Sequence, residues 1–340
     1  MSVTADTSPE QSDALHVAIA QSLEKLPSTA SVAIALSGGI DSVALSLVAK
    51  EVCAQTGHTL HFFHVHHGLY AEADAWAAHL QTFAHDLEVP LSTGRVAVAQ
   101  DSGLGIEAAA RQARYAALAE MAHANRVTAI LLAHHRQDQA ETVLLRLLRG
   151  AGVLGLGGMQ PDVVRGQLRL LRPWLDVDRD ALVALTRAYA QRSGWHPIQD
   201  PSNSDVHFAR GALRSELVPV LDRRWPAWRQ TVTRHARQAQ EVSEILDEVA
   251  AGDWQTLDPD LEGMSFSLQR WRGLSEPRQA LVLRFWLNRR GVAMPGERRL
   301  AELMRQLRQL HALGHDRELL WQHGTCRVQC LRGRVSLSSG

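Results

Sequence analysis

The sequence predicts an α/β protein built on a parallel sheet, followed by a smaller helical and α+β C-terminal domain. Three observations carry that prediction. Short apolar runs alternate with amphipathic stretches as far as about residue 225. Two of the runs, SVAIAL (31–36) and VTAILLAHH (127–135), are apolar almost throughout, the pattern of strands covered on both faces. Beyond residue 225 long helical patterns lead into short alternating runs, a different architecture. At about 150 residues per domain, a chain of 340 residues suits two domains, placed here at 1–225 and 226–340.

The elements follow in order. Residues 9–26 have apolar positions at helical spacing, with Pro9 in the first turn. SVAIAL then predicts a strand, SGGIDS a glycine turn, and VALSLVAKEVCAQ (43–55) a helix. HTLHFFHV (58–65) and LSTGRVAV (91–98) predict further strands, each followed by a helix, over 73–87 and 106–125. VTAILLAHH precedes a helix that Gly150 stops. The segment GAGVLGLGGMQP (150–161) predicts a mobile loop, and LRLLRPWL (168–175) resumes with a strand. A helix over 178–192, a stretch rich in turn formers (193–205) and helical spacing in FARGALRSELVPVL follow. A long helix from Pro226 to Ala251 bridges to the second domain, where helices at 276–290 and 296–311 precede a small sheet in the last two dozen residues.

Composition excludes several classes. With 45% hydrophobic and 21% charged residues the chain is neither extensively disordered nor fibrous. It contains no run of about 18 apolar residues, and its polar, acidic start is unlike a signal peptide, so a cytoplasmic, non-membrane protein is expected. Cys53, Cys326 and Cys330 provide neither a disulfide framework nor a four-cysteine zinc site. The formal net charge of zero hides a segregation. Residues 1–107 carry 3 basic and 12 acidic side chains, whereas 108–340 carry 33 arginines, no lysine and 24 acids. Arginine is suited to bidentate phosphate contact, so a polyanionic partner is one reading. A coding bias toward arginine is another, although it leaves the segregation unexplained. Eight of nine tryptophans follow residue 107 and read mainly as core, with one or two available to stack on bases.

SGGIDS (Ser37–Ser42) follows a buried strand and opens a helix, where backbone amides and the helix dipole point at a bound phosphate. It lacks the GKS or GKT ending of a Walker loop, so no lysine reaches the terminal phosphates. The motif resembles the PP-loop, SGGxDS, of N-type ATP pyrophosphatases. Further motifs occur downstream: VHHGLY (65–70), EAAARQARY (107–115), AHHRQDQAETVLLRLLRGAGVLGLGGM (133–159), LRPWL (171–175), DPSNSD (200–205) and ARGALR (209–214). As an ordered series they resemble the tRNA(Ile)-lysidine synthetase family over about two thirds of the chain. The remainder resembles it only as a helical, basic appendage, and nothing in it matches the further C-terminal module of the longer members.

That resemblance implies an adenine nucleotide α-hydrolase-like fold and an ATP-dependent ligase. Its reaction joins free L-lysine to C2 of the wobble cytidine of an isoleucine tRNA with a CAU anticodon. The route is an adenylated C2 oxygen, with release of pyrophosphate and AMP. By the same resemblance Ser37, Gly38, Gly39, Ile40, Asp41, Ser42 and His66 bind ATP, and Asp41 positions Mg2+. Asp41, Asp138 and Glu141 are the catalytic candidates; Asp138, Glu141 and Arg210 hold lysine. Arg111, Arg114, Arg146, Arg149 and Arg214 contact tRNA, while Arg210 and Arg214, four apart on one face, lie by family position near the lysine and the loop. A homodimer is one possible assembly. Two departures stand out: Gln137 replaces the first of two adjacent aspartates common in the family, and Gly211 stands where asparagine often follows the arginine.

The residues themselves leave alternatives open. Asp138 and Glu141, three apart on one helical face, also fit a solvated acidic pair near a helix N-terminus. The arginine pairs also fit surface ion pairs. His64, His66, His67, His134 and His135 cluster at strand ends without a HExxH spacing, which favours hydrogen-bonding roles over zinc, with His66 and His134 the candidates to touch nucleotide or base. Two other functions compete. A 2-thiocytidine-type enzyme would use the same adenylated cytidine but needs a CxxC pair, and a non-catalytic nucleotide- or RNA-binding protein would keep the loop without turnover.

Overall fold

The computed structural model describes residues 9–66, 68, 72–96, 106–200, 206–310 and 319–339. It divides into two compact units, Met1–Arg237 and Gln238–Gly340.

The first unit alternates helices and strands. In chain order these are α1 (Pro9–Leu23), β1 (Ser31–Ala35), α2 (Ile40–Thr56), β2 (Thr59–His66), α3 (Ala73–Asp86), β3 (Leu91–Arg95), α4 (Ile106–Ala124), β4 (Ala129–Leu131) and α5 (Arg136–Leu148). Then come α6 (Val153–Leu156), β5 (Asp162–Arg165), β6 (Leu168–Leu171), α7 (Arg179–Ser193), α8 (Ala209–Ala212) and α9 (Val218–Arg224). The long α10 (Trp228–Thr256) runs through the boundary between the units. The sheet has the order β3-β2-β1-β4-β6-β5. Every pairing is parallel except β5 with β6, so the expected parallel sheet carries one antiparallel edge strand.

Burial explains the continuous apolar strands. In β1, Val32 and Ile34 join a core with α1, α2 and α7, whereas Ala33 and Ala35 join a second core with Leu118 and Met121 of α4. Side chains alternate faces, and both faces are covered, so no polar alternation survives. The chain order reverses direction across the sheet between β1 and β4, and the crevice beyond the carboxyl ends of those strands is where open α/β sheets bind ligands.

Two segments differ from the sequence expectation. The segment 150–161 contains the short α6 and leads into the β5–β6 hairpin, whose first strand is four residues long and carries too little pattern to be read. Between α8 and α9 the helix widens into a π-helical turn, Leu213–Leu217. Pro219 follows at once; it lacks an N–H and cannot bond one turn back, so the backbone hydrogen-bonding pattern shifts there.

The second unit contains β7 (Ser265–Ser267), α11 (Leu268–Arg272), α12 (Glu276–Arg289), α13 (Glu297–Gln309), β8 (Leu319–His323), β9 (Cys326–Leu331) and β10 (Arg334–Ser339). Its antiparallel sheet has the order β7-β10-β9-β8. Trp321, Val328, Cys330, Val335 and Leu337 face a core completed by Leu300, Leu303 and Leu307 of α13. No helix among the described residues is long and apolar enough to cross a membrane.

Candidate active site

The glycine loop links β1 to α2. Gly38 has φ +88°, a left-handed conformation that favours glycine, and a Cβ there would lie 2.5 Å from Cδ1 of Ile198. The Ile198 amide donates to the Gly38 carbonyl (2.9 Å), so the turn-rich segment after α7 packs on the loop. Ser42 closes it from within. Its hydroxyl donates to the Gly39 carbonyl (3.0 Å) and accepts from the Gly38 amide (3.1 Å), which leaves the Ser37 hydroxyl to donate across 3.1 Å to Ser42. Ile40 opens α2, and its carbonyl accepts from Thr186 on α7 (3.2 Å).

Asp41, in the first turn of α2, meets a guanidinium and an imidazole. Arg179 donates through Nε to Oδ1 (3.2 Å), and His135 Nε2 stands 3.7 Å from Oδ2. Burial alone would raise the Asp41 pKa, but the hydrogen bonds and charges of His135 and Arg179 outweigh it and hold the carboxyl below its usual range.

His135 sits at the N-cap of α5, 1% exposed, immediately beyond β4. Its Nε2 lies 3.3 Å from Asp138 Oδ2, and the same oxygen accepts from the His135 backbone N–H at 3.3 Å. Asp138 and Glu141 are both buried, so the solvated-pair alternative does not hold. Arg214 bridges them, Nε to Glu141 Oε1 at 2.8 Å and Nη2 to Asp138 Oδ1 at 3.1 Å. Arg210 lies 3.6 Å from Glu141 Oε2 and donates to Thr142 (2.9 Å). Gln137 donates its amide to Glu141 Oε1 (2.9 Å). The pocket therefore holds two carboxylates and two guanidiniums.

The remaining expected residues divide. Arg214, counted among the tRNA arginines but also read with Arg210 as lying near the lysine and the loop, joins Arg210 in the pocket, because residues four apart at the α8–π junction share the face that packs on α5. Arg146 donates to the carbonyls of Gly155 (2.9 Å) and Gly158 (2.6 Å), and Gln139 clamps Met159 through both its amide groups (2.8 and 2.7 Å). The glycine-rich segment is thus tied to α5. Arg149 and Arg111 are exposed and Arg114 is half-buried. Arg111 and Arg165 both lie over the Tyr115 ring, at 5.2 and 4.7 Å from its centroid. His66 ends β2 with Nε2 3.2 Å from Asp74, which Arg95 also holds. His134 is kept neutral: burial, only partly offset by Asp138, pushes its pKa down to about 3. His67 and residues 201–205 of the DPSNSD motif lie outside the described residues.

No group of three or more His, Cys, Asp or Glu among the described residues could hold a metal. Asp41 offers a single carboxylate at the phosphate loop, a donor set that fits Mg2+, which takes most of its shell from phosphates and water. Cys53 is buried and its thiol is pushed up to about 11, so it offers no thiolate to sulfur chemistry.

Comparison with known proteins fits this geometry. The family described as the PP-loop domain matches residues 12–221, and that described as the TilS substrate binding domain matches 266–336. A curated tRNA(Ile)-lysidine synthase of Bordetella parapertussis is 54% identical over 337 residues, covering 98% of each chain. The chain belongs to the tRNA(Ile)-lysidine synthase family. Another family member, from Bordetella pertussis, is 55% identical over 91% of this chain and 96% of its own. Among solved structures, the U34-tRNA thiolase NcsA of Methanococcus maripaludis shares the fold, at TM-score 0.55 and 15% identity, over 67% of this chain and 78% of that one. The lysidine synthase family is thus represented here by a PP-loop enzyme with its loop and acidic pair in one crevice.

The sequence reading named His135 only as one of the clustered strand-end histidines, without pairing it to Asp41, and did not name Arg179. Both meet Asp41 through the fold: Arg179 lies 138 residues away in the chain, beyond the reach of any local motif.

Proposed function

We propose that this chain ligates free L-lysine to C2 of the wobble cytidine of tRNA(Ile) bearing the CAU anticodon, with ATP converted to AMP and pyrophosphate. One observation supports it above others: His135 spans from Asp41 on the phosphate loop (3.7 Å) to Asp138 of the acidic pair (3.3 Å). Nucleotide and amino acid then meet in one crevice at the β1/β4 switch point, as a two-stage transfer requires.

In the first stage the cytidine O2 attacks the α-phosphorus of ATP, an O–P bond forms, and pyrophosphate leaves. The Gly39–Ser42 amides at the start of α2 face the phosphates, the Gly38 amide being spent on Ser42, and the negative charge that grows on the leaving group is met by these fixed dipoles. A Mg2+ ion at Asp41 would supply further charge neutralisation. In the second stage the lysine side-chain amine, having lost a proton, attacks C2; the C2–O bond breaks and AMP departs. A free C2 oxygen is a poor leaving group, and adenylation is what makes it leave.

Asp138 and Glu141 hold the lysine amine, and Arg210 with Arg214 receive its carboxylate. We accordingly move Arg214 from tRNA contact to the lysine pocket, and keep Arg111, Arg114 and Arg149 for tRNA. Arg146 positions the segment 155–159 beside them. A cytoplasmic location suits an enzyme that takes ATP, free lysine and tRNA.

The test is incubation of the purified protein with ATP, Mg2+, labelled lysine and an isoleucine tRNA transcript bearing CAU, scoring label on acid-precipitated RNA. ATP-dependent label that Asp41→Ala abolishes is expected. Consumption of ATP on tRNA without lysine incorporation would overturn the choice of nucleophile.

A further inference from the structure

The phosphate loop has no lysine of its own, yet the leaving pyrophosphate carries several negative charges. Arg179 stands where such a cation is needed. It is the first residue of α7, a helix anchored to the loop by Thr186 through the Ile40 carbonyl (3.2 Å). Its Nε is held by Asp41 Oδ1 (3.2 Å), and the side chain is 41% exposed. Its neighbour Asp178 does not neutralise it, because that carboxylate pairs with Arg136. The other arginines of the crevice, Arg210 and Arg214, are paired with Glu141 and Asp138. Among the described residues, the two terminal nitrogens of Arg179 have no bonded partner.

We infer that Arg179 is a pyrophosphate-binding residue, its guanidinium oriented by Asp41 through Nε so that both terminal nitrogens donate to oxygens of the β- and γ-phosphates. This rests on the proposed nucleotide site. A guanidinium fixed at Nε is suited to the task, because its two remaining donor groups form a planar fork matched to two phosphate oxygens, whereas an ammonium offers only a point charge. Asp41 thereby gains a second role: its carboxylate orients a cation from α7 as well as serving the loop. The leaving group is met from one side by loop amides and from the other by Arg179.

The experiment is calorimetric titration of the full chain with magnesium pyrophosphate and, separately, with AMP, for the natural protein, Arg179→Lys and Arg179→Gln. Expected is a loss of at least about tenfold in pyrophosphate affinity for Arg179→Gln, a smaller loss for Arg179→Lys, and AMP affinity within about twofold of the natural protein for both. Unchanged pyrophosphate affinity in Arg179→Gln would overturn the inference. So would equal losses for pyrophosphate and AMP, since these mark a displaced loop and a purely structural role. Absence of pyrophosphate binding by the natural protein is a separate result, which removes the nucleotide-site reading and this inference with it.

Discussion

Replacing Glu141 by Gln tests the acidic pair most directly, because it removes one charge and leaves the shape. Glu141 is fully buried and accepts from Arg214 (2.8 Å) and Gln137 (2.9 Å) through Oε1, while Oε2 faces Arg210 at 3.6 Å without a hydrogen bond. The glutamine carbonyl must take the Oε1 position, since the alternative sets its NH2 against two donors. The bond from Arg214 then changes from a salt bridge to a hydrogen bond with a neutral acceptor, a loss of about 1–2 kcal/mol. Arg210 is about one-third exposed, so solvent screens its lost partner and adds less than about 1 kcal/mol. The sum, roughly 1–3 kcal/mol, lowers the melting temperature by a few degrees for each kcal/mol in a unit of this size. Lysine binding suffers more on the proposed reading. The substrate ammonium loses a desolvated partner, for about 2 kcal/mol or more, so the Kd measured by equilibrium dialysis rises at least about 30-fold. ATP affinity stays the same. A fall in melting temperature with lysine affinity changed less than about threefold would refute the reasoning and leave Glu141 as a clamp for Arg214.

Three other outcomes are expected. Gly38→Ala forces a side chain into a left-handed conformation and against Ile198, which costs about 1–2 kcal/mol in backbone strain alone; it should weaken ATP binding at least about tenfold, and unchanged affinity in a fluorescence titration would count against the loop geometry. His134 takes a proton near 6.5 when unfolded but only near 3 when folded, so between those values the unfolded state binds more protons and stability falls as pH falls, by up to about 1.4 kcal/mol per pH unit. Urea unfolding of His134→Gln should show a shallower acid decline than the natural protein; parallel profiles would contradict the buried neutral imidazole. The logarithm of the affinity for tRNA should fall linearly with log salt, and Arg111→Ala should reduce the magnitude of that slope by about 1. A flat response would exclude phosphate contact by the exposed arginines.

Local chemistry was legible in the sequence wherever cause and effect lie close along the chain. The strand–loop–helix around Ser37–Ser42 is such a case, because the buried run, the glycines and the helix adjoin one another. Likewise the i to i+3 spacing of Asp138 and Glu141 placed both on one face of α5. What the spacing could not give was their partners. Arg214 reaches Glu141 across 73 residues, and its destination depends on how α8 packs on α5, a tertiary fact without a sequence period. Arg146 shows the same limit from the other side. An arginine near a glycine-rich loop looks like a phosphate contact, yet the loop's own carbonyls need donors, and Arg146 satisfies two of them.

Gln137 is the departure from the family pattern that the site explains. Its amide donates to Glu141, a bond that an aspartate in its place, ionised, cannot make. The charge count adds a reason. Asp138 and Glu141 are balanced by Arg210 and Arg214, and a third carboxylate would tip the pocket negative. On the proposed reading, incoming lysine brings two ammonium groups and one carboxylate, a net charge of about +1. In a balanced pocket that excess favours release of the side-chain proton, the step that makes the amine a nucleophile. An added carboxylate would stabilise the ammonium and oppose that release. With glutamine at 137, the pocket can still grip lysine through its two carboxylates while leaving its amine free to deprotonate.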